Sequence, residues 1–174
     1  IFDLEKLNYF NSAYLKALSP EAFLAVAEPY LKQGITNPSI DLRLVAPLVQ
    51  TRLNTLTEIP PMVDFFDRLP EYSNTLYLHK KMKTNEENSL EALHLVVPVF
   101  QAMTEWSFQA IHDALLHLAE AQGLKNGRIM WPVRVAVSGK ATTPGGAVEL
   151  CHILGKEEPL RRVQQGIRQL TPQA

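Results

Sequence analysis

Apolar residues recur at helical spacing along almost the whole chain, and helix start and stop signals separate the segments. Ser19-Pro20-Glu21 combines a capping side chain, a proline at the first helical position and an acid in the first turn. The apolar residues that follow fit one helix face up to Gly34, a residue that favours helix ends. Ser107 is placed to cap a later segment, and Gly123 to end it. This pattern predicts an all-α fold.

Two further helix starts are predicted from capping signals. Asn37-Pro38-Ser39 begins a segment that contains Pro47, where we expect a kink or a break because proline lacks the backbone N–H. Thr84-Asn85-Glu86-Glu87 fits a capping box, with Thr84 as the cap and the acid three residues later as its partner. A long helix should follow this box.

The last third of the chain holds one ambiguous segment. Val133, Val135 and Val137 alternate, and propensity alone favours a strand there. The segment is short and the rest of the chain offers no partner strand, so we interpret it as a helix. Two more helices are predicted over 145–154 and 157–170.

Cysteine content and hydropathy argue against a disulfide-stabilised or membrane-spanning protein. Cys151 is the only cysteine, which excludes an internal disulfide and a cysteine-based zinc cluster and favours a cytoplasmic origin. No run approaches the roughly 18 apolar residues that a membrane span needs. The chain begins at Ile1 directly in a helical pattern, as we expect for a piece of a longer protein.

Charge is distributed unevenly along the chain. The net charge of −1 argues against a strong nonspecific binder of nucleic acid. Residues 1–120 contain 9 Lys/Arg and 15 Asp/Glu, whereas residues 121–174 contain 8 and 3. A basic C-terminal third favours a localised contact with phosphates.

No group of residues in the sequence assembles a catalytic or metal site. His112 and His117 are five residues apart, whereas two zinc ligands on a helix need a four-residue step. Cys151 and His152 are adjacent, and neighbouring helical side chains diverge by about 100°, so they do not form a nucleophile–base pair. The segment 143–146 is too short for a phosphate-binding loop and has no preceding strand. We expect no catalysis and no cofactor in this chain.

Two basic groups are interpreted as solvated charge. The run Lys80-Lys81-Met82-Lys83-Thr84 has only half of the Lys-Met-Ser-Lys signature of class I synthetases. Arg161 and Arg162 lie on the last predicted helix and are left out of the candidate site.

Four segments carry motifs that occur together in one family. They read FDLEKLNYFN over 2–11, RLNTLTEIP over 52–60, KMKT over 81–84 and WPVRVAVSGKATTPGGAVELCHILGK over 131–156. In this order they resemble the C-terminal anticodon-binding region of bacterial glutamyl-tRNA synthetases, which are class I aminoacyl-tRNA synthetases. The family patterns are F-D-x-x-K-L-x-W-x-N, R-x-x-T-L-x-[DE]-x-P, and R-x-A-x-[ST]-G before a Pro-Gly loop and L-G-K. Tyr9 replaces the usual Trp, and a double glycine adds one residue before Ala147.

The resemblance implies an architecture and a set of partners. It implies two stacked helical bundles, an α-helix cage, with the end of a stem-contact region over 1–18 and bundles over 19–70 and 71–174. The implied partners are the anticodon loop of tRNA(Glu) and an N-terminal catalytic domain that this chain lacks, with neither DNA nor a membrane involved. ATP and magnesium are expected for the parent enzyme only, and the protein is expected to be a cytoplasmic monomer. The resemblance also supports a helix around Val135.

The resemblance further implies tRNA contacts by residues that lie outside the Pro-Gly loop of this chain. Arg52 falls where the family has an arginine that reads the third anticodon base, which is C in glutamate anticodons and G in glutamine anticodons. Arginine presents planar donors that suit the acceptors of cytosine. Lys6, Asn8 and Asn11 lie on the segment that approaches the inner corner of the tRNA in the family.

A second set of implied contacts surrounds the Pro-Gly loop. Arg134, Thr143, Pro144 and Gly146 fall where the family holds the first two anticodon bases. Single-stranded loop bases are splayed out, stacked and hydrogen-bonded by main-chain groups. A loop with glycine lets the backbone approach a base closely.

Other interpretations stay open at this point. Arg52 could be a surface arginine near the carbonyls of its own helix, and Arg134 could pair with an acidic neighbour on a helix surface. The loop 143–146 could be a plain connector. The whole chain could also be a helical protein-interaction module, or the same module of a relaxed synthetase that also charges tRNA(Gln). A smaller amide in place of Arg52 would favour the relaxed enzyme.

Overall fold

The computed structural model describes the backbone of residues 4–173 and the side chains of residues 11–173. These residues form helices joined by turns, and the part of the chain that is described contains no β-strand, so the all-α prediction is confirmed. The chain divides into two compact units, Ile1–Arg68 and Leu69–Ala174. A separate stem-contact region over residues 1–18 stays a prediction.

The described residues of the first unit form four α-helices and two short 3-10 turns. The helices are α1 (Leu4–Ala17), α2 (Pro20–Gly34), α3 (Leu42–Gln50) and α4 (Ile59–Val63), and the 3-10 turns are Leu56–Glu58 and Asp64–Phe66. Phe23, Leu31, Val49 and Phe65 are fully buried in its core. Gln50 Nε2 donates to the carbonyls of residues 15 and 18 at 2.8 and 3.0 Å, which fixes the end of α1 to the end of α3.

The start of α3 differs from the prediction. Asp41 caps the helix by accepting from the Arg43 N–H at 3.0 Å, and the helix begins at Leu42 instead of near Asn37. Asn37 Oδ1 instead accepts from the Ser39 N–H at 2.9 Å and forms a local turn that competes with helix formation. Of the kink or break expected at Pro47, the break is wrong, because α3 runs through this exposed proline to Gln50, and a kink stays a prediction.

Asp67 fixes the turn between α2 and α3. Its carboxylate accepts from the Thr36 N–H at 2.7 Å, the Thr36 hydroxyl at 2.8 Å and the Asn37 N–H at 2.9 Å. Burial alone raises the pKa of Asp67, but these hydrogen bonds outweigh it and hold the pKa below its ordinary value.

We expect Asp67→Asn to destabilise the first unit by about 1 kcal/mol at pH 7, because an amide cannot accept all three bonds. A lowered pKa stabilises the fold above about pH 4, the value of an unfolded aspartate, and this contribution is lost as the pH falls through the folded pKa. Thermal unfolding followed by circular dichroism should therefore show a difference between wild type and variant that shrinks below pH 4. Glu28→Gln, which breaks only an exposed pair with Lys32, is the control. A difference that persists at pH 2 would contradict the role of the charge.

Within the part that the structure describes, the second unit contains five α-helices and one 3-10 turn. They are α5 (Glu86–Ala102), α6 (Phe108–Ala121), α7 (Gly127–Ser138), α8 (Ala147–Leu154), α9 (Glu157–Leu170) and the 3-10 turn Asn74–Tyr77. Helix α5 packs against α7 and α9. A Cβ added to Gly166 would lie 2.8 Å from the Tyr77 hydroxyl and 3.1 Å from Leu93 Cδ1, so glycine allows this close approach.

The helix start near residue 84 also differs from the prediction. Asn85 is the cap, and it exchanges reciprocal hydrogen bonds of 2.8 Å with Asn88. The Thr84 hydroxyl is buried and donates to the Tyr77 carbonyl at 2.7 Å, so it is not available to cap α5. A capping box is present, but it is shifted by one residue and uses an amide in place of the acid.

Two predictions in the last third have different outcomes. The valine segment is helical, within α7, and the alternation arises because Val133, Val135 and Val137 are all fully buried. Helix α8 begins at Ala147 and not at Gly145, whose φ of 133° is incompatible with an α-helix.

Candidate functional site

Arg134, on α7, is held by the loop that follows the helix. Its Nη1 donates to Thr143 Oγ1 and its Nη2 to the Ala141 carbonyl, each at 2.7 Å. The guanidinium carbon lies 4.3 Å from the centre of the Trp131 ring, a cation–π contact one turn earlier on the same helix. Arg134 therefore joins the helix to the loop and leaves the guanidinium half-buried.

Trp131 is itself fixed on both its edge and its face. The indole Nε1 donates to the Leu76 carbonyl at 3.0 Å. The His79 ring lies 4.2 Å from the Trp131 ring, tilted by 58°. Because Trp131 is held in this way, it aligns the plane of Arg134. Trp131 is not among the predicted site residues, although its position three residues before Arg134 on a predicted helix indicates that the two side chains are neighbours.

The loop 143–146 is ordered from within. Thr143 and Pro144 are buried, and the Thr143 hydroxyl donates to the Gly145 carbonyl at 2.5 Å while it accepts from Arg134. Glu149 Oε2 accepts from the Gly146 N–H at 2.9 Å and so caps the start of α8. The side chains of Thr143 and Pro144 thus point into the protein, and the groups nearest the solvent are those of Ala141 and Thr142.

The end of α7 is anchored by residues far along the chain. Gly139 has a φ of 63°, and a Cβ there would lie 3.0 Å from both Pro70 Cγ and Tyr72 Cδ1, so any other residue would be strained. Arg162 Nη1 donates to the Val137 carbonyl at 2.6 Å. Since α7 leads directly into the candidate loop, these contacts fix where the loop begins.

Arg162 contradicts its interpretation as solvated charge. Its side chain is 1% exposed, and its Nε donates to Glu158 Oε1 at 2.8 Å. Arg161, the neighbouring arginine, is 53% exposed and binds the same carboxylate from outside. Arg161 and Arg162 are adjacent in the sequence, yet one is exposed and the other is buried. The sequence around them does not show which of the two is buried.

Arg52 occupies an exposed position at the end of α3. Its backbone N–H donates to the Val49 carbonyl at 2.9 Å, and the next residue, Leu53, is fully buried. The Arg52 side chain makes no hydrogen bond or ion pair within the described part of the chain. The backbone beneath Arg52 is therefore fixed, while its guanidinium donors face solvent.

The predicted stem contacts are less well defined. Asn11 lies on α1 and is half-buried. The side chains of Lys6 and Asn8 lie outside the described residues. Their role in contacting tRNA stays a prediction.

Other candidate chemistry receives no support from the geometry. Burial raises the pKa of the Cys151 thiol far above its ordinary value, with a smaller opposing effect from Arg162, so this group stays protonated at neutral pH. Among the described residues, no three His, Cys, Asp or Glu side chains are grouped as a metal site would require. No helix in the described part of the chain has the length and hydropathy to cross a membrane.

The chain is similar to the same family of proteins by a family model and by its individual relatives. A family model described as "Anticodon binding domain" matches residues 10–167. The chain is 50% identical over 170 residues to a glutamate–tRNA ligase of Clostridium tetani, covering 98% of this chain and 35% of the relative. A glutamate–tRNA ligase of Lachnoclostridium phytofermentans is 46% identical over 171 residues, with the same coverage. The chain thus spans about a third of the length of the curated relatives that it matches.

Solved structures agree with the sequence comparison. A crystal structure of a glutamate tRNA ligase from Elizabethkingia meningosepticum superimposes with a TM-score of 0.79 at 26% identity, covering 98% of this chain and 33% of that one. A glutamate-tRNA synthetase from Elizabethkingia anophelis gives a TM-score of 0.75 at 25% identity, covering 96% of this chain and 32% of that one.

Proposed function

The chain belongs to the anticodon-binding domain family, and we propose that it recognises the anticodon arm of tRNA(Glu) for a glutamate–tRNA ligase. Glutamylation with ATP and magnesium would be carried out by a catalytic domain outside this chain, in the cytoplasm and in a monomeric enzyme. The relatives named as glutamate–tRNA ligases, of which this chain spans about a third, support this division of labour. The chain itself would contribute selection of the tRNA and no chemistry.

The exposed guanidinium of Arg52 is the observation that carries this proposal. A reader of a base needs a fixed backbone, so that the side chain is positioned, and donors that no intramolecular partner occupies. Arg52 has both, since it follows α3 directly and precedes the buried Leu53. We propose that it donates to the third anticodon base and that, because guanine also offers acceptors, the shape of the site around the base must reject guanine.

The loop in the second unit would hold the first two anticodon bases. Because Thr143 and Pro144 are buried, we propose that they shape the loop and that its backbone and the outer face of Arg134 meet the bases. The Gly146 N–H donates to Glu149 and its carbonyl accepts from the Leu150 N–H, so Gly146 would contribute a backbone that a base can approach closely because it carries no side chain. These roles rest on the resemblance together with the position of each residue at the end of α7 or the start of α8.

We expect Arg52→Gln to lose discrimination at the third anticodon position, by about 1–3 kcal/mol for a good bidentate contact. The measurement is an anisotropy titration with two fluorescent anticodon stem-loops at one low salt concentration, which differ only in C or G at that position. Arg43→Gln is a matched control, because Arg43 lies near the start of α3, the helix that precedes Arg52, and is paired with Asp41. Unchanged helicity by circular dichroism would show that the variant is folded.

The titrations of wild type and of Arg52→Gln together distinguish the candidate functions. A preference for the C-ending loop that survives in Arg52→Gln would remove Arg52 from the reader role. Equal, salt-sensitive binding of both loops would favour a relaxed parent enzyme that also charges tRNA(Gln). Failure to bind either loop would favour a protein-interaction module.

A further inference from the structure

A short lysine-rich hairpin, His79–Thr84, projects from the second unit. Backbone hydrogen bonds of 3.2 and 3.1 Å join His79 and Thr84 in both directions, and the Lys83 N–H donates to the Lys80 carbonyl at 3.3 Å. The turn between them is Lys80-Lys81-Met82-Lys83, and its three lysines are exposed. We call this segment the lysine hairpin.

The lysine hairpin is fixed to the body of the unit at its base and its tip. At the base, the His79 ring packs on Trp131, and His79 Nδ1 accepts from the Met82 N–H at 3.1 Å. At the tip, a Cβ added to Gly127 would lie 2.5 Å from Met82 Sδ, so Met82 packs directly on the first residue of α7. These contacts hold the three lysines in a fixed position on the surface of the unit.

The charges of this region have no hydrogen-bond or ion-pair partner among the residues that the structure describes. None of the ammonium groups of the lysine hairpin forms a hydrogen bond or an ion pair with the described residues. Lys125 and Arg128 flank Gly127, where the tip of the hairpin packs, and the buried Nε of Arg128 has no hydrogen-bond partner among those residues. The first turn of α5 adds the exposed acids Glu86 and Glu87, which the five cations outnumber.

The backbone of Lys83 adds a separate observation. Its φ of 60° makes it the only non-glycine residue with positive φ in the described part of the chain. A long side chain is uncommon in this conformation, which glycine or asparagine adopts more easily. Lys83 therefore carries its charge at a position where glycine would fit the backbone more easily, which makes it a clean site for a test of charge.

We propose that the lysine hairpin, with Lys125 and Arg128, binds the sugar–phosphate backbone of the RNA whose loop is read elsewhere on the chain. This inference rests on the proposed function and adds a site to it. Lysine ammonium groups bind phosphate as point charges, and such contacts fix position without reading sequence. The hairpin therefore contributes affinity that depends on salt, and no selectivity for C over G.

The test compares the salt dependence of binding in matched variants of the full chain. Each lost phosphate contact lowers the slope of log affinity against log salt by roughly 0.7–0.9. We therefore expect Lys80→Gln/Lys81→Gln to reduce the slope by about 1.5 and to leave the ratio of affinities for the C-ending and G-ending stem-loops unchanged. The control Arg161→Gln/Arg168→Gln removes the same charge from exposed positions on α9 and should leave the slope as in wild type.

A second variant separates charge from structure. Lys83→Gly removes one charge and relieves the unfavourable φ, so the melting temperature should not fall while the slope decreases by roughly 0.8. If the hairpin were only structural, stability and slope would not separate in this way.

The outcomes distinguish this inference from the function on which it rests. Wild type that binds and discriminates, with hairpin variants that keep the wild-type slope, overturns the hairpin site and leaves the proposed function intact. Wild type that binds neither stem-loop overturns both. Equal loss of slope in the hairpin variant and the α9 control would show a general charge effect and would also overturn the site.

Discussion

Arg162→Met is expected to lower the free energy of unfolding of the second unit by about 2–4 kcal/mol. The side chain is almost fully buried, and two of its donors are matched to fixed acceptors, the Val137 carbonyl and Glu158 Oε1. Methionine fills much of the same volume but leaves the Val137 carbonyl, near the end of α7, without its donor. Replacing a whole buried ion pair by apolar residues is often neutral, but a backbone carbonyl cannot be replaced.

Arg161→Met is the matched control for this prediction. Arg161 binds the same carboxylate at Glu158 but is 53% exposed, so its loss should change stability by less than about 1 kcal/mol. Both tryptophans, Trp106 and Trp131, belong to the second unit, so urea unfolding followed by tryptophan fluorescence reports on that unit alone. Equal effects of the two substitutions would show that burial of Arg162 does not determine its contribution.

Helix positions follow from the sequence wherever the capping residue has no stronger local partner. Ser19 and Ser107 cap α2 and α6 as predicted, each accepting a backbone N–H at 3.1 Å. Asn37 and Thr84 carry equally suitable side chains and do not cap, because the first forms a turn with Ser39 and the second binds the Tyr77 carbonyl. Capping strength is a local property, whereas these competing hydrogen bonds depend on which residues the fold brings near.

The candidate site was predictable as a set of positions but not as a set of contacts. Family motifs locate Arg134 and Thr143 in one region, and the structure brings them into direct contact. The motifs do not show that Thr143 is buried or that Trp131 supports Arg134, because both facts depend on the packing of α7 against the rest of its unit. The burial of Arg162 was also not predictable from the sequence, because Arg161 is the same residue type and differs only in its direction around α9.

Arg134→Ala is expected to weaken binding of a stem-loop with a glutamate anticodon by about 1–3 kcal/mol, roughly 5- to 150-fold. The guanidinium orders the loop through Thr143 Oγ1 and the Ala141 carbonyl, so its loss should disorder the groups that we propose contact the first two bases. Arg134→Lys should recover little, because an ammonium group cannot present two parallel donors or stack on Trp131 in the same way. Anisotropy at fixed salt measures the loss.

A double-mutant cycle with Thr143→Val decides whether Arg134 acts through the loop. The hydroxyl of Thr143 accepts from Arg134 and donates to Gly145, so removing it should break the same connection between α7 and the loop. If both residues act through that connection, the double variant should bind about 1 kcal/mol better than the sum of the single losses predicts. Strictly additive losses would instead mean that Arg134 contacts RNA independently of Thr143. In that case the arginine and the Thr143 hydroxyl contribute to binding separately, and their hydrogen bond to each other adds nothing to RNA affinity.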